Sequence, residues 1–244
     1  MIDPLSARSL LLNIVAKNDI VGSATGFIVE KEKKPFLITN WHVVTGRNPD
    51  TDDLVLERIP DELQIIHHVL GQLGKWTVRS EDLYLPGGKP CWREHALGKK
   101  FDVVALPIES IDNMIVIYSM DMSLADTDII AQPAMPVSII GFPYGLATAG
   151  AWPIWKTGHI ASDPDLDYDG RPAFLIDATT RGGMSGSPVV LRLSGGYNTK
   201  NGKQILAGGI ATKFLGVYSG RIHADAEIGM VWRPHVINEI LENI

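Results

Sequence analysis

A single cysteine, Cys91, stands in the 244 residues, so no disulfide can close within the chain. Folding without disulfides suits a reducing compartment. No apolar stretch approaches the roughly 20 residues that a membrane helix needs. The run Leu10-Leu11-Leu12-Asn13-Ile14-Val15 is too short for the apolar core of a signal peptide and has no small-residue cleavage site behind it. The preceding Met1-Ile2-Asp3-Pro4 is acidic rather than basic. From these absences we expect a cytoplasmic protein with no membrane partner. An excess of basic charge is missing too: 22 Lys and Arg stand against 28 Asp and Glu, a formal net charge of -6. A phosphate backbone would be repelled, so no nucleic-acid partner is expected. His67-His68 have no Cys, Asp or Glu at metal-ligand spacing, and no metal or cofactor is expected. There is no internal repeat and no low-complexity tract.

What is present is an ordinary globular composition, 45% hydrophobic and 20% charged, long enough for one large core or two small ones. Short apolar runs alternate with turn residues, which predicts an all-β chain. Strands are expected at Leu10–Ala16, Ser23–Val29, Pro35–Thr39, Asp53–Arg58, Trp76–Val78, Val103–Pro107, Pro136–Ile140, Ile154–Gly158, Ala173–Asp177, Ser187–Arg192, Gln204–Ala211 and Glu227–Val231. Glu30-Lys31-Glu32-Lys33-Lys34 reads as a charged hairpin turn. Val236, Ile237, Ile240 and Leu241 recur at helical spacing between Pro234 and Asn243, which predicts a C-terminal helix. A boundary between two halves is expected near Glu109–Met122.

Three segments carry chemistry. Gly182-Gly183-Met184-Ser185-Gly186-Ser187-Pro188 sets a serine in a glycine turn closed by proline. Thr39-Asn40-Trp41-His42-Val43-Val44 follows an apolar run with a histidine, and Phe101-Asp102-Val103-Val104-Ala105-Leu106 opens one with an aspartate. A serine hydroxyl is a weak nucleophile at neutral pH and needs an adjacent base. A neutral imidazole, with its pKa near the working pH, can be that base, and a carboxylate on its other nitrogen fixes the tautomer. His42, Asp102 and Ser185 are therefore candidate catalytic residues, provided the fold brings them together. Gly183 has no side chain, so its N–H can approach a substrate; with the Ser185 N–H it forms a candidate oxyanion hole. The Gly182-Gly183 pair also has the freedom to flip into an incompetent loop. The Gly-x-Ser-x-Gly elbow of α/β-hydrolases fails here, because Ser187 takes the last glycine position.

The segments resemble those of bacterial trypsin-like peptidases, especially the HtrA/Do and glutamyl endopeptidase branches. Ile38–Val44 resembles their LTN-x-HVV segment, Phe101–Leu106 their DVAVL, and Gly183–Pro188 their GNSGSP. The likeness runs from about Ser23 to Val231. It implies two six-stranded antiparallel β-barrels, approximately residues 5–110 and 120–232, with a C-terminal helix over 233–243. It also implies endopeptidase action on protein or peptide substrates through an acyl-enzyme, with the site in the cleft between barrels. By the same resemblance Thr179, Thr180, Ala211, Thr212 and Lys213 would contact substrate. Ala211 stands where glutamyl endopeptidases have a pocket histidine, so a neutral pocket for small or medium apolar side chains is expected. Met184 stands where trypsin-like zymogens carry an aspartate, so activation by N-terminal insertion is not expected. No PDZ-like domain is expected, which argues against the housekeeping HtrA role. The alternative to a constitutive protease is a chain gated by an activating partner, or an inactive one serving as a peptide-binding or regulatory module.

Overall fold

The computed structural model describes residues 2–206, 208–223 and 225–242. The first half builds one antiparallel sheet from β1 (Ser9–Ala16), β2 (Asp19–Lys31), β3 (Lys34–Thr39), β4 (Glu62–Val69), β5 (Trp76–Asp82), β6 (Arg93–Glu94), β7 (Val104–Pro107) and β8 (Ile115–Val116). Its order is β5-β4-β1-β2-β3-β7-β6, with β8 beside β4. Six of these strands have four or more residues and two have only two, so the expected six-stranded barrel is present as a curled wall with two short additions. The second half is a closed barrel of β9 (Pro136–Gly141), β10 (Ile154–Ile160), β11 (Ala173–Asp177), β12 (Pro188–Ser194), β15 (Ile210–Arg221) and β16 (Ile228–Trp232). A small hairpin, β13 (Tyr197–Asn198) and β14 (Gln204–Ile205), projects from it.

Strand periodicity sorts side chains between two cores. On β2, Ile28 faces the interior of the first barrel while Phe27 and Val29 face the junction between barrels. Leu37 on β3, with Val104 and Leu106 on β7, joins the interior; Phe36, Ile38 and Ala105 join the junction. Burial on both faces explains why these strands read as continuous apolar runs rather than alternating ones. The helix α2 (His235–Glu242) lays Val236, Ile237, Ile240 and Leu241 into the junction core, as its spacing predicts. Asn243, the end of the expected helix, lies outside the described residues.

Two expected strands need correction, and one long strand was missed. Asp53–Arg58 forms no strand: Leu54 and Val55 are about half exposed, and Leu54 makes only an isolated bridge to Arg47. Gln204–Ala211 is not one strand either, since β14 stops at Ile205 and β15 begins at Ile210; Ala207 lies outside the described residues. Conversely β4 was not foreseen, because two of its buried positions are the polar His67 and His68. The charged hairpin is where it was expected, with Glu32 and Lys33 both at positive φ, 52° and 64°, as a tight two-residue turn requires.

Candidate active site

His42 sits in α1 (Trp41–Thr45), a short helix launched by the end of β3 and stopped by Gly46 at φ 67°, whose N–H bonds the His42 carbonyl. Asp102 lies two residues before β7 and is 2% exposed. Asn40 Nδ2 donates to the Asp102 carbonyl at 2.6 Å, locking the two segments side by side. The Asp102 carboxylate then accepts three hydrogen bonds: from the His42 N–H at 2.9 Å, from His42 Nδ1 at 2.8 Å, and from Ser219 Oγ. A carboxylate only accepts, so Nδ1 carries the ring proton and Nε2 is left as an acceptor. Ser185 Oγ lies 2.9 Å from that Nε2 and 3.1 Å from the Ser219 carbonyl. The three candidate residues thus form one hydrogen-bonded line across the junction of the barrels.

Burial disfavours the His42 imidazolium, but the Asp102 carboxylate outweighs it by charge and hydrogen bond and raises the pKa above its usual value. The ring keeps an exposed edge, 23% of its side chain, toward a cleft of about 540 Å³. Ser185 and Ser219–Ile222 line that cleft. Its walls come from both halves, residues 48–50 on one side and 168–171 on the other, and Arg171 Nη2 bonds Asp50 Oδ1 between them at 2.6 Å.

Beside Ser185, Gly183 adopts φ 90°, and a Cβ there would lie 2.3 Å from the Phe142 carbonyl, so only glycine fits. The turn is held by Tyr144 N–H on the Gly182 carbonyl at 2.5 Å. Neither the Gly183 nor the Ser185 N–H has a partner within the protein among the described residues. Met184 is fully buried in the apolar core of the second barrel, with no carboxylate in its place.

The other five expected residues are placed elsewhere. Thr179 is exposed, and Thr180 is buried with its hydroxyl on the Tyr218 hydroxyl. Burial pushes the Tyr218 phenol up to about 12. Ala211, Thr212 and Lys213 pair with β12, and Lys213 Nζ is capped by the carbonyls of Ala125 and Thr127 at 3.0 and 2.7 Å. None of the five lines the cleft that holds His42 and Ser185. The part of β15 that does so begins at Ser219, eight residues beyond the stretch starting at Ala211. The Ser-Gly step ending the apolar run Phe214–Tyr218 was the available signal, a weak one.

Comparison with known proteins agrees with this architecture. The model of the family described as trypsin-like peptidase domain matches residues 24–195. Among solved structures, the active form of the Rv3671c protease from M. tuberculosis is similar over 98% of this chain and 82% of its own, at 18% identity and TM-score 0.51. The MamO protease domain from Magnetospirillum magneticum covers 99% and 97%, at 14% identity and TM-score 0.53. The thermostable serine protease AL20 from an extremophilic microorganism covers 99% and 98%, at 10% identity and TM-score 0.56. At such identities the likeness is one of fold. No curated protein matches the chain.

Proposed function

The chain belongs to the trypsin-like peptidase domain family, and from that premise we propose that it is a serine endopeptidase working through His42, Asp102 and Ser185. The observation that carries this reading is the unbroken line from Asp102 through both nitrogens of His42 to Ser185 Oγ, at 2.8 and 2.9 Å. In the reaction, Nε2 takes the Ser185 proton as Oγ attacks the peptide carbonyl carbon, and the carbonyl oxygen becomes an oxyanion. The open N–H groups of Gly183 and Ser185 receive that oxyanion. Asp102 stabilises the imidazolium, which then gives its proton to the leaving amine and leaves an acyl-enzyme on Ser185. Water, deprotonated by the same nitrogen, releases the acid and restores the hydroxyl. Every step is supplied by side chains and backbone of this chain, acting on protein or peptide substrates. The single, partly buried Cys91 supports a cytoplasmic, reducing setting.

Labelling with a fluorophosphonate probe tests the proposal. The purified protein is expected to label, and Ser185→Ala to lose the label completely. An unlabelled native protein would show that the triad is not assembled for attack in solution, and the reading would fall.

A further inference from the structure

Both peptide planes that flank Gly183 are tied, and the two ties come from different places. The Gly182 carbonyl accepts the Tyr144 N–H, as described above. In a trans peptide the C=O and N–H point in opposite directions, so this bond turns the Gly183 N–H away from Tyr144. The next plane is held from the first barrel. Thr25, on β2, is fully buried and donates from Oγ1 to the Gly183 carbonyl at 2.8 Å. The same oxygen accepts the Phe142 N–H at 3.1 Å. Because an amide can only donate, the one hydroxyl proton is directed onto Gly183. The backbone of Thr25 is fixed in turn: its N–H bonds the Ser185 carbonyl at 2.9 Å, and its carbonyl accepts Thr39 Oγ1 at 2.9 Å. Thr39 closes β3 immediately before Asn40 and His42. One threonine therefore touches the nucleophile's own residue, the oxyanion loop and the 142–145 turn that braces that loop.

From this geometry we propose that Thr25 is a positioning residue for the oxyanion hole, acting across the junction between barrels; the inference rests on the serine endopeptidase reading. A flip of the Gly183–Met184 peptide would leave the fully buried Thr25 hydroxyl without its acceptor, and an unpaired buried polar group is destabilising. With the Tyr144 bond holding the plane that carries the Gly183 N–H, and Thr25 holding the next one, the freedom that two adjacent glycines give the loop is restrained, and the hole stands formed without a partner protein.

The test is Thr25→Val, which keeps the shape and removes the hydroxyl, beside Thr25→Ser, which keeps it. Steady-state kinetics are run on a peptide selected from a library digest, and binding of the matching peptide aldehyde, whose adduct carries an oxyanion, is compared with that of the peptide alcohol, which forms none. Loss of one oxyanion donor outright costs about 10²–10³ in turnover, so misplacing one is expected to lower kcat roughly 10- to 100-fold. KM is expected to stay unchanged, aldehyde affinity to fall by the same factor as kcat, alcohol affinity to hold, and Thr25→Ser to restore activity. A Thr25→Val protein that melts earlier but retains wild-type kcat overturns the inference and leaves the protease reading intact. Should Thr25→Val not fold, Thr25→Ala takes its place; if neither folds, the hydroxyl serves the fold as a whole and the inference is wrong. A wild-type protein that neither labels nor cleaves defeats the protease reading itself, and the inference with it.

Discussion

At the scale of single residues, the chemistry depends on which nitrogen of His42 carries a proton. Asp102 holds it on Nδ1, and its charge raises the pKa of the ring. Only the neutral ring can take the Ser185 proton, so kcat/KM is expected to rise with pH through an apparent pKa above 6.5. Asp102→Asn removes the charge and offers an N–H that favours the wrong tautomer. Its turnover near neutral pH is expected to fall about 10⁴-fold, which a pH–rate profile of both proteins would check. The three candidate catalytic residues, which the fold brings together, were legible because each sits in a short segment whose chemistry is local. The residues of β15 that line the cleft were not. Their assignment needed the register of β15 against the nucleophile, and nothing in Ala211-Thr212-Lys213 marks it as eight residues too early. The Ser219 hydroxyl on Asp102 is a contact between residues 117 apart, which no spacing rule reveals.

At the scale of elements, strands buried on both faces announced themselves by unbroken apolar runs, and α2 by its 3.6-residue period. β4 is the instructive failure. It carries His67 and His68 at 1% and 3% exposure, polar residues at positions where apolar ones are expected. Burial, aided by Arg79 and His68, lowers the His67 pKa to about 4. In the unfolded chain the same ring titrates near 6.5, so between these values the unfolded state binds the extra proton. Stability is therefore expected to fall as pH drops from 6.5 toward 4, and to change no further from this group below that. Thermal melts from pH 7.5 down to 4 would follow the loss, and His67→Gln, which cannot take up the proton, should make the curve shallower, burial of His68 lowering its pKa in the same direction. The false strand at residues 53–58 errs the other way: Leu54 and Val55 are about half exposed, Val55 lining the cleft, and only Leu56 packs against the first barrel's core.

At the scale of the whole molecule, two barrels share one core and one site. The first supplies the proposed base and orienter, the second the proposed nucleophile, and Thr25 and Ser219 each reach across to the other's part of that site. Met184 is buried among apolar side chains and offers no carboxylate to a newly formed N-terminus, so removal of the first residues is expected to leave fluorophosphonate labelling unchanged. The Asp50–Arg171 pair has a different bearing. Its side chains are 59% and 27% exposed, a setting in which an ion pair is worth about 0–1 kcal/mol. It is therefore a clasp rather than a weld, fastening one end of the groove where a polypeptide would lie. Ionic strength weakens such a clasp, so cleavage of long unfolded chains is expected to speed up with salt, and Asp50→Asn to remove that dependence. A protease so built would admit a slack strand readily and turn away a tightly folded surface, sorting its substrates by looseness before any side chain is read.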